Sequence, residues 1–161
     1  MVEQAEIKDF LTEANRKGYA AGEEREIPER KIIKEADGST TIFIEIGDFK
    51  FHDNYFGGEP YGGREVIFYQ EKPVWMMVYY GSVDPSIPVE SIYPFLMKAL
   101  GQAPEKLPVR GPTHMVEGSL TYENVWEGNF GKFHGKETIS QSGKIVYFAR
   151  YIGGLVDQRK E

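Results

Sequence analysis

Residues 63–83 read Gly-Arg-Glu-Val-Ile-Phe-Tyr-Gln-Glu-Lys-Pro-Val-Trp-Met-Met-Val-Tyr-Tyr-Gly-Ser-Val, which is typical of two strands around a polar turn. A related stretch lies at residues 135–155 and aligns with the first without a gap. The identical pairs are Gly63/Gly135, Glu65/Glu137, Ile67/Ile139, Lys72/Lys144, Val74/Val146, Tyr79/Tyr151 and Gly81/Gly153. We therefore predict a single domain over residues 1–161 that contains an internal duplication, with pseudo-repeats at about 4–84 and about 89–157.

Each pseudo-repeat also begins with an amphipathic helical pattern. The apolar positions are Ile7, Phe10, Leu11 and Ala14 in the first and Ile92, Phe95, Leu96 and Ala99 in the second. Residues 40–46 alternate between apolar and polar, and Gly47-Asp48 favours a hairpin that pairs Ile44 with Phe51. The expected fold class is therefore α+β: a duplicated helix-plus-three-strand unit forming an antiparallel sheet with two helices packed on one face.

The composition excludes several classes of protein. There is no cysteine, so disulfides and thiolate metal sites are excluded, and the three histidines lack metal-ligand spacing. A net charge of −6 argues against direct nucleic-acid binding. The first ten residues are too charged for a signal peptide, and no apolar run is long enough to span a membrane. We expect a cytoplasmic protein with no membrane contact, no metal and no cofactor.

The glutamates Glu65 and Glu137 are unusual because each begins an otherwise apolar row. If both hairpins are regular, Glu65 shares a core face with Met76 and Val78, and Glu137 shares one with Arg150. We therefore expect Arg150 to be the ion-pair partner of Glu137. Two alternatives remain open: the glutamates lie at the rim of the sheet, or they form a carboxylate pair in a cleft between the halves.

The opposite face of the first hairpin would carry Trp75, Met77 and Tyr79, with Arg64 at its edge, and that of the second would carry Tyr147 and Tyr151. So apolar a face must be covered by residues 19–38, by a second subunit or by a ligand.

A glycine-rich loop at residues 56–63 lacks the Gly-Lys-Ser/Thr element of a phosphate-binding loop. One interpretation is a looped crossover between strands. The other is a loop beside a ligand, with Tyr55, Phe56 and Tyr61 as walls.

No catalytic residue is predicted from these patterns. The candidate ligand-binding residues are Arg64, Glu65, Trp75, Tyr79, Trp126, Glu137, Tyr147 and Tyr151.

Four motifs together resemble an uncharacterised domain family. They are Tyr55-Phe56-Gly57-Gly58, Gly63-x-Glu65-Val66, Lys72-Pro73-Val74-Trp75-x-Met77-x-Tyr79-Tyr80-Gly81 and Tyr122-x-Asn124-x-Trp126-x-Gly128. The resemblance implies a domain found in bacteria and archaea, free-standing or attached to helix-turn-helix regulators. It implies no established activity and no catalytic residue.

These observations favour a noncatalytic small-molecule-binding or sensor-type module. One alternative is an enzyme that uses Glu65 and Glu137 as acid–base carboxylates. Another is a homodimeric interaction module whose interface is the aromatic face, with Trp75 and Tyr79 buried between the copies. A small-molecule ligand and a second copy of the chain are thus the candidate partners.

Overall fold

The computed structural model describes residues 2–20, 26–102 and 109–159. Helix α1 (Gln4–Asn15) continues into a π-helical segment (Arg16–Ala20), and a short 3-10 turn (Val89–Ser91) precedes helix α2 (Tyr93–Gly101). The strands are β1 (Arg30–Lys34), β2 (Thr40–Ile46), β3 (Phe49–Phe56), β4 (Tyr61–Tyr69), β5 (Lys72–Val83), β6 (His114–Glu117), β7 (Leu120–Asn129), β8 (Lys132–Gln141) and β9 (Lys144–Leu155). Within these ranges, neither helix is long and apolar enough to cross a lipid bilayer.

The expected α+β domain, a duplicated helix-plus-three-strand unit with two helices packed on one face, is wrong. The described strands form one nine-stranded antiparallel sheet, in the order β1-β2-β3-β4-β5-β9-β8-β7-β6. Strands account for 53% of the structure and helices for 19%. The error lies in the number of strands: the prediction gave three strands to each repeat, whereas the first half supplies five (β1–β5) and the second supplies four (β6–β9).

The register at the centre of the sheet follows the sequence repeat. Tyr79 lies directly opposite its counterpart Tyr151. On one side of this point Trp75 pairs with Leu155, and on the other side their repeat counterparts Tyr147 and Val83 pair with each other. The predicted hairpin of β2 and β3 is confirmed, since Ile44 pairs with Phe51.

Each long hairpin contains a β-bulge at the same place in the repeat. Between β4 and β5, Ile67 pairs with Trp75 and Phe68 pairs with Pro73, so Val74 has no opposite residue. Between β8 and β9, the same pattern leaves out Val146. An extra residue in one strand moves every following side chain to the other face of the sheet.

The bulges overturn the predicted assignment of faces. Trp75, Met77 and Tyr79 share the buried face with Glu65 and Ile67, whereas Val78 and Tyr80 are exposed. In the second hairpin, Tyr147, Ala149 and Tyr151 share the buried face with Glu137 and Ile139. What was expected to be a separate aromatic face is therefore part of the core.

The buried face supports two hydrophobic clusters. Helix α1 contributes Ile7, Phe10, Leu11 and Ala14 to the first cluster, which includes Trp75. Helix α2 contributes Phe95, Leu96, Ala99 and Leu100 to the second, together with its N-cap residue Ile92 and with Tyr122 and Tyr147 from the sheet. Each large apolar side chain buried in this way stabilises the fold by about 1.5–3 kcal/mol.

Candidate functional site

Four polar residues lie on the buried face between the two clusters. The register places Asp53 of β3 opposite Glu65 of β4, and Asn124 of β7 opposite Glu137 of β8. Alternation along each strand turns these side chains inward, and each is at most 3% exposed. The fold therefore carries two corresponding polar pairs inside an otherwise apolar layer.

The first pair is bound by two tyrosines. The Tyr79 hydroxyl donates to Asp53 Oδ1. The Tyr19 hydroxyl, from the π-helical segment, lies 2.8 Å from Asp53 Oδ2 and 3.0 Å from Glu65 Oε1. Because a hydroxyl has one proton, Tyr19 can donate to only one of these carboxyl groups. The other contact is a hydrogen bond only if the second carboxyl is protonated and donates to Tyr19.

Burial, and next the neighbouring Asp53 carboxylate, raise the pKa of Glu65 to about 8. Burial also raises the pKa of Asp53, although its bonds from Tyr79 and Tyr19 act in the opposite direction. Both shifts follow from removing carboxylates from water without full compensation. Within the described residues, Glu65 Oε2 is buried and has no hydrogen-bond partner.

The second pair is bound by a guanidinium. Arg110 Nε donates to Glu137 Oε2 at 2.7 Å, and the Tyr122 hydroxyl donates to Glu137 Oε1. Asn124 accepts the Tyr151 hydroxyl at 2.6 Å and donates to the Gly111 carbonyl at 3.2 Å. The expected pairing of Glu137 with Arg150 is wrong. The bulge in β9 turns Arg150 to the exposed face, where its guanidinium lies 5.4 Å from the centre of the Phe148 ring.

A cavity of about 350 Å³ opens beside Asp53. Five tyrosines line it: Tyr19, Tyr55, Tyr61, Tyr79 and Tyr93. The remaining wall is formed by Gly18, Ile42, Gly57, Gly58, Met97, Leu100 and Arg110. The walls are therefore mainly aromatic and apolar, and Asp53 and Arg110 supply the charged groups.

Hydrogen bonds hold the glycine-rich loop against α2 at the mouth of this cavity. The Tyr93 hydroxyl lies 2.6 Å from the Gly58 carbonyl oxygen and 2.5 Å from Glu59 Oε2. Glu59 Oε1 also accepts the backbone N–H of Val83 at 2.7 Å. Tyr61, at the end of the loop, bonds to the Tyr147 hydroxyl at 2.5 Å, and burial raises its pKa to about 12.

A domain family described as a domain of unknown function, DUF5680, matches residues 53–156, which is more than half of the chain. The chain belongs to the DUF5680 family. This confirms the predicted resemblance to an uncharacterised domain family. Comparisons with curated proteins and with solved structures found no match.

The DUF5680 match covers both polar pairs, including Asp53, Glu65 and Arg110. It leaves out Tyr19 and α1, which complete the first pair from outside the matched range. Among the residues that the structure describes, no group of three or more His, Asp or Glu side chains is arranged to hold a metal ion.

The structure separates the predicted site residues into two sets. Tyr79 lines the cavity, and the buried network behind it contains Glu65, Glu137, Tyr147 and Tyr151. Three other candidates lie away from the cavity. Arg64 is exposed on the other side of β4, Trp75 is enclosed between Phe130 and Phe133, and Trp126 packs half-buried against the first cluster.

Sequence reasoning found part of the cavity wall and missed its charges. Tyr55 and Tyr61 line the cavity as proposed, whereas Phe56 is 51% exposed and does not. Asp53 was missed, although it follows Phe51 at the two-residue spacing of the inward row of β3. Arg110 lies in a connection between α2 and β6, where no periodic pattern indicates its position.

Proposed function

We propose that this chain is a noncatalytic small-molecule-binding module of the sensor type, and that its ligand occupies the cavity beside Asp53. The observation that supports this is the cavity itself: about 350 Å³, with tyrosine walls and a buried carboxyl group in its lining. Small-molecule sites typically have volumes of about 300–1,000 Å³, mostly apolar walls and a few polar groups that orient the ligand.

The position of the cavity favours a sensor. Its wall combines the π-helical segment after α1, the glycine-rich loop and one side of α2. A ligand there would contact three separate parts of the chain and would favour the arrangement in which all three meet. A cytoplasmic location, the absence of direct nucleic-acid contacts and attachment to helix-turn-helix regulators in related proteins belong to this proposal as predictions.

Recovery of a ligand from purified protein tests this proposal. Protein prepared without added ligand would be analysed by native mass spectrometry and solvent extraction. Met97→Trp places a bulky side chain at the cavity wall, where Met97 is 38% exposed. Ile145→Trp adds the same ring at a position on β9 that is 58% exposed and not part of the cavity wall. We expect a compound bound to the wild type and to Ile145→Trp but not to Met97→Trp. Equal retention by all three proteins would contradict the proposal.

The catalytic alternative, with Glu65 and Glu137 as acid and base, is favoured by the raised pKa of Glu65. It is opposed by geometry, because neither glutamate lines the cavity and Glu137 is held by Arg110. Prolonged incubation with the recovered compound separates the two functions. The binding proposal expects the compound to stay unchanged, and conversion that Glu65→Gln abolishes would establish the enzyme.

The homodimer alternative stays a prediction, with one restriction on its interface. Trp75 is 0% exposed and Tyr79 is 8% exposed within a single chain. The dimer hypothesis expected these two side chains to be buried between the copies. Because a single chain already buries them, an interface would have to use other residues.

A further inference from the structure

The two halves of the sheet carry corresponding triads that differ at one residue. They are Tyr79–Asp53–Glu65 and Tyr151–Asn124–Glu137. In each, the central tyrosine hydroxyl donates to the side chain that lies opposite the glutamate. The first triad has a carboxyl group where the second has an amide, so the potential negative charge of the first is greater by one.

The second triad is neutralised by the chain itself. Glu137 forms an ion pair with Arg110 Nε at 2.7 Å, and the uncharged Asn124 bonds to the Gly111 carbonyl. The segment that supplies Arg110 and Gly111 therefore acts as an internal ligand for this half. In this half, the guanidinium of Arg110 neutralises the carboxylate of Glu137.

Among the residues that the structure describes, no cation is within hydrogen-bond distance of a carboxyl group of the first triad. No lysine or arginine nitrogen of the described residues lies within 4.0 Å of Asp53, whose bonds come from Tyr79 and Tyr19. Arg110 Nη1 is 3.8 Å from Glu65 Oε1, which is beyond hydrogen-bond distance. Within the described ranges, Glu65 Oε2 has no hydrogen-bond partner. The buried network thus holds three carboxyl groups and one guanidinium, which already pairs with Glu137.

The cavity adjoins this undercompensated triad. Asp53, although only 2% exposed, forms part of the cavity wall. Tyr79 and the other tyrosines of the wall supply aromatic rings, and the faces of such rings attract cations. Arg110 also reaches the wall, but its guanidinium lies over the Tyr79 ring at 4.9 Å and is balanced by Glu137.

We propose that the cavity binds an organic cation, an ammonium or guanidinium group on a small apolar body, with the cationic group at Asp53. This inference rests on the proposed function and names the chemical class of its ligand. A carboxylate ligand would instead bring a second negative charge next to Asp53. A neutral ligand would leave the Asp53 carboxylate without a cation.

Matched fragments test the charge of the ligand. The probes are benzylamine, benzyl alcohol and benzoate, together with the corresponding naphthylmethyl amine, naphthylmethyl alcohol and naphthoate, all measured by ligand-observed NMR. We expect the amines to bind more tightly than the alcohols and the carboxylates not to bind. Met97→Trp should abolish binding, which identifies the cavity as the site.

Asp53→Asn gives the first triad the amide that the second already has, so the acceptor for Tyr79 is kept. A charge-assisted contact is worth about 1.5–3 kcal/mol, so this variant should weaken amine binding about 10- to 150-fold and leave alcohol binding unchanged. Glu123→Gln removes an exposed carboxylate and serves as the control.

Three outcomes would overturn these claims, and each contradicts a different one. Tighter binding of the alcohols or carboxylates overturns the cationic ligand and leaves the binding function intact. Amine binding that is unaffected by Asp53→Asn overturns the assignment of the cationic group to Asp53. If no probe binds, or if Met97→Trp does not reduce the binding of any probe, then both the proposed function and the inference are overturned.

Discussion

Glu65 is a buried acid for which the fold provides incomplete compensation. It is 2% exposed, one of its carboxyl oxygens has no hydrogen-bond partner in the part of the chain that the structure describes, and its pKa is raised to about 8. The charged and titratable groups facing it come from several elements: Tyr19, Asp53, Tyr79, Arg110 and Glu137. Of these, Asp53 and Glu137 oppose ionisation of Glu65, whereas Arg110 and the bond from Tyr19 favour it.

The raised pKa of Glu65 predicts that stability falls as the pH rises. The folded state keeps the proton up to about pH 8, whereas the unfolded chain releases it near the ordinary value of 4.5. Below about pH 4.5 both states are protonated, so this stabilisation is fully present there. Between these values the free energy of unfolding should decrease by at most about 1.4 kcal/mol per pH unit, and above about pH 8 the loss should be complete.

Urea denaturation at pH 5, 6, 7 and 8 measures this dependence. Glu65→Gln is neutral at every pH and should flatten the slope, leaving the contribution in the same direction from the raised pKa of Asp53. The control Glu123→Gln should keep the wild-type slope. A wild-type slope no more negative than that of Glu65→Gln would contradict the burial of a protonated Glu65.

The charged residues of the site show how far sequence reasoning extends. Glu65 and Glu137 stood out because a carboxylate interrupts an apolar row in both copies. Arg110 could not be placed in the same way, because it lies in the connection between α2 and β6. Only the folded chain brings this residue into contact with Glu137. Local periodicity reports which face a residue occupies within a strand, and it does not report what a loop brings to that face.

The strands show a second boundary of prediction. The sequence identified the two long hairpins and the pairing of β2 with β3. It did not identify the bulges at Val74 and Val146, and this one residue in each hairpin reversed the predicted faces of β5 and β9. Expecting three strands in each repeat, where the first half supplies five and the second four, then gave the wrong fold class. The bulges and the pairing of β5 with β9 depend on contacts between strands, which no local pattern specifies.

Two glycines of the repeat make room for the central tyrosines, and this predicts a specific sensitivity. A Cβ added at Gly135 would lie 2.3 Å from Cζ of Tyr151, and one added at Gly63 would lie 2.6 Å from the Tyr79 hydroxyl. Gly135→Ala should therefore displace the Tyr151 ring and lower the free energy of unfolding by about 1–3 kcal/mol.

The matched control for this prediction is Gly58→Ala, because a Cβ at Gly58 meets no atom within 4 Å. Its effect on stability should stay within about 0.5 kcal/mol. Urea denaturation of both variants is the measurement. Equal stability of Gly135→Ala and Gly58→Ala would show that the tyrosine packing is not as tight as the structure indicates.

The molecule as a whole combines a nearly symmetric sheet with an asymmetric use of its two polar triads. Corresponding bulges, glycines and tyrosines on both sides of the β5–β9 pair are what a duplicated unit would produce, and the duplication stays a prediction. The segment carrying Arg110 and Gly111 fills the second half, whereas the cavity lies beside the first. The two halves therefore differ in that a segment of the chain fills one polar triad, whereas a cavity adjoins the other.

Methyl NMR during a small-molecule titration tests the binding site most directly. Methyl groups of Ile42, Met97 and Leu100 report on the cavity, and those of Ile145 and Ile152 report on the exposed face of the sheet. Addition of the copurified compound or of a matched amine should shift the cavity methyl signals and leave the exposed ones unchanged. Shifts confined to Ile145 and Ile152 would contradict the account, because they would place the ligand on the opposite side of the sheet.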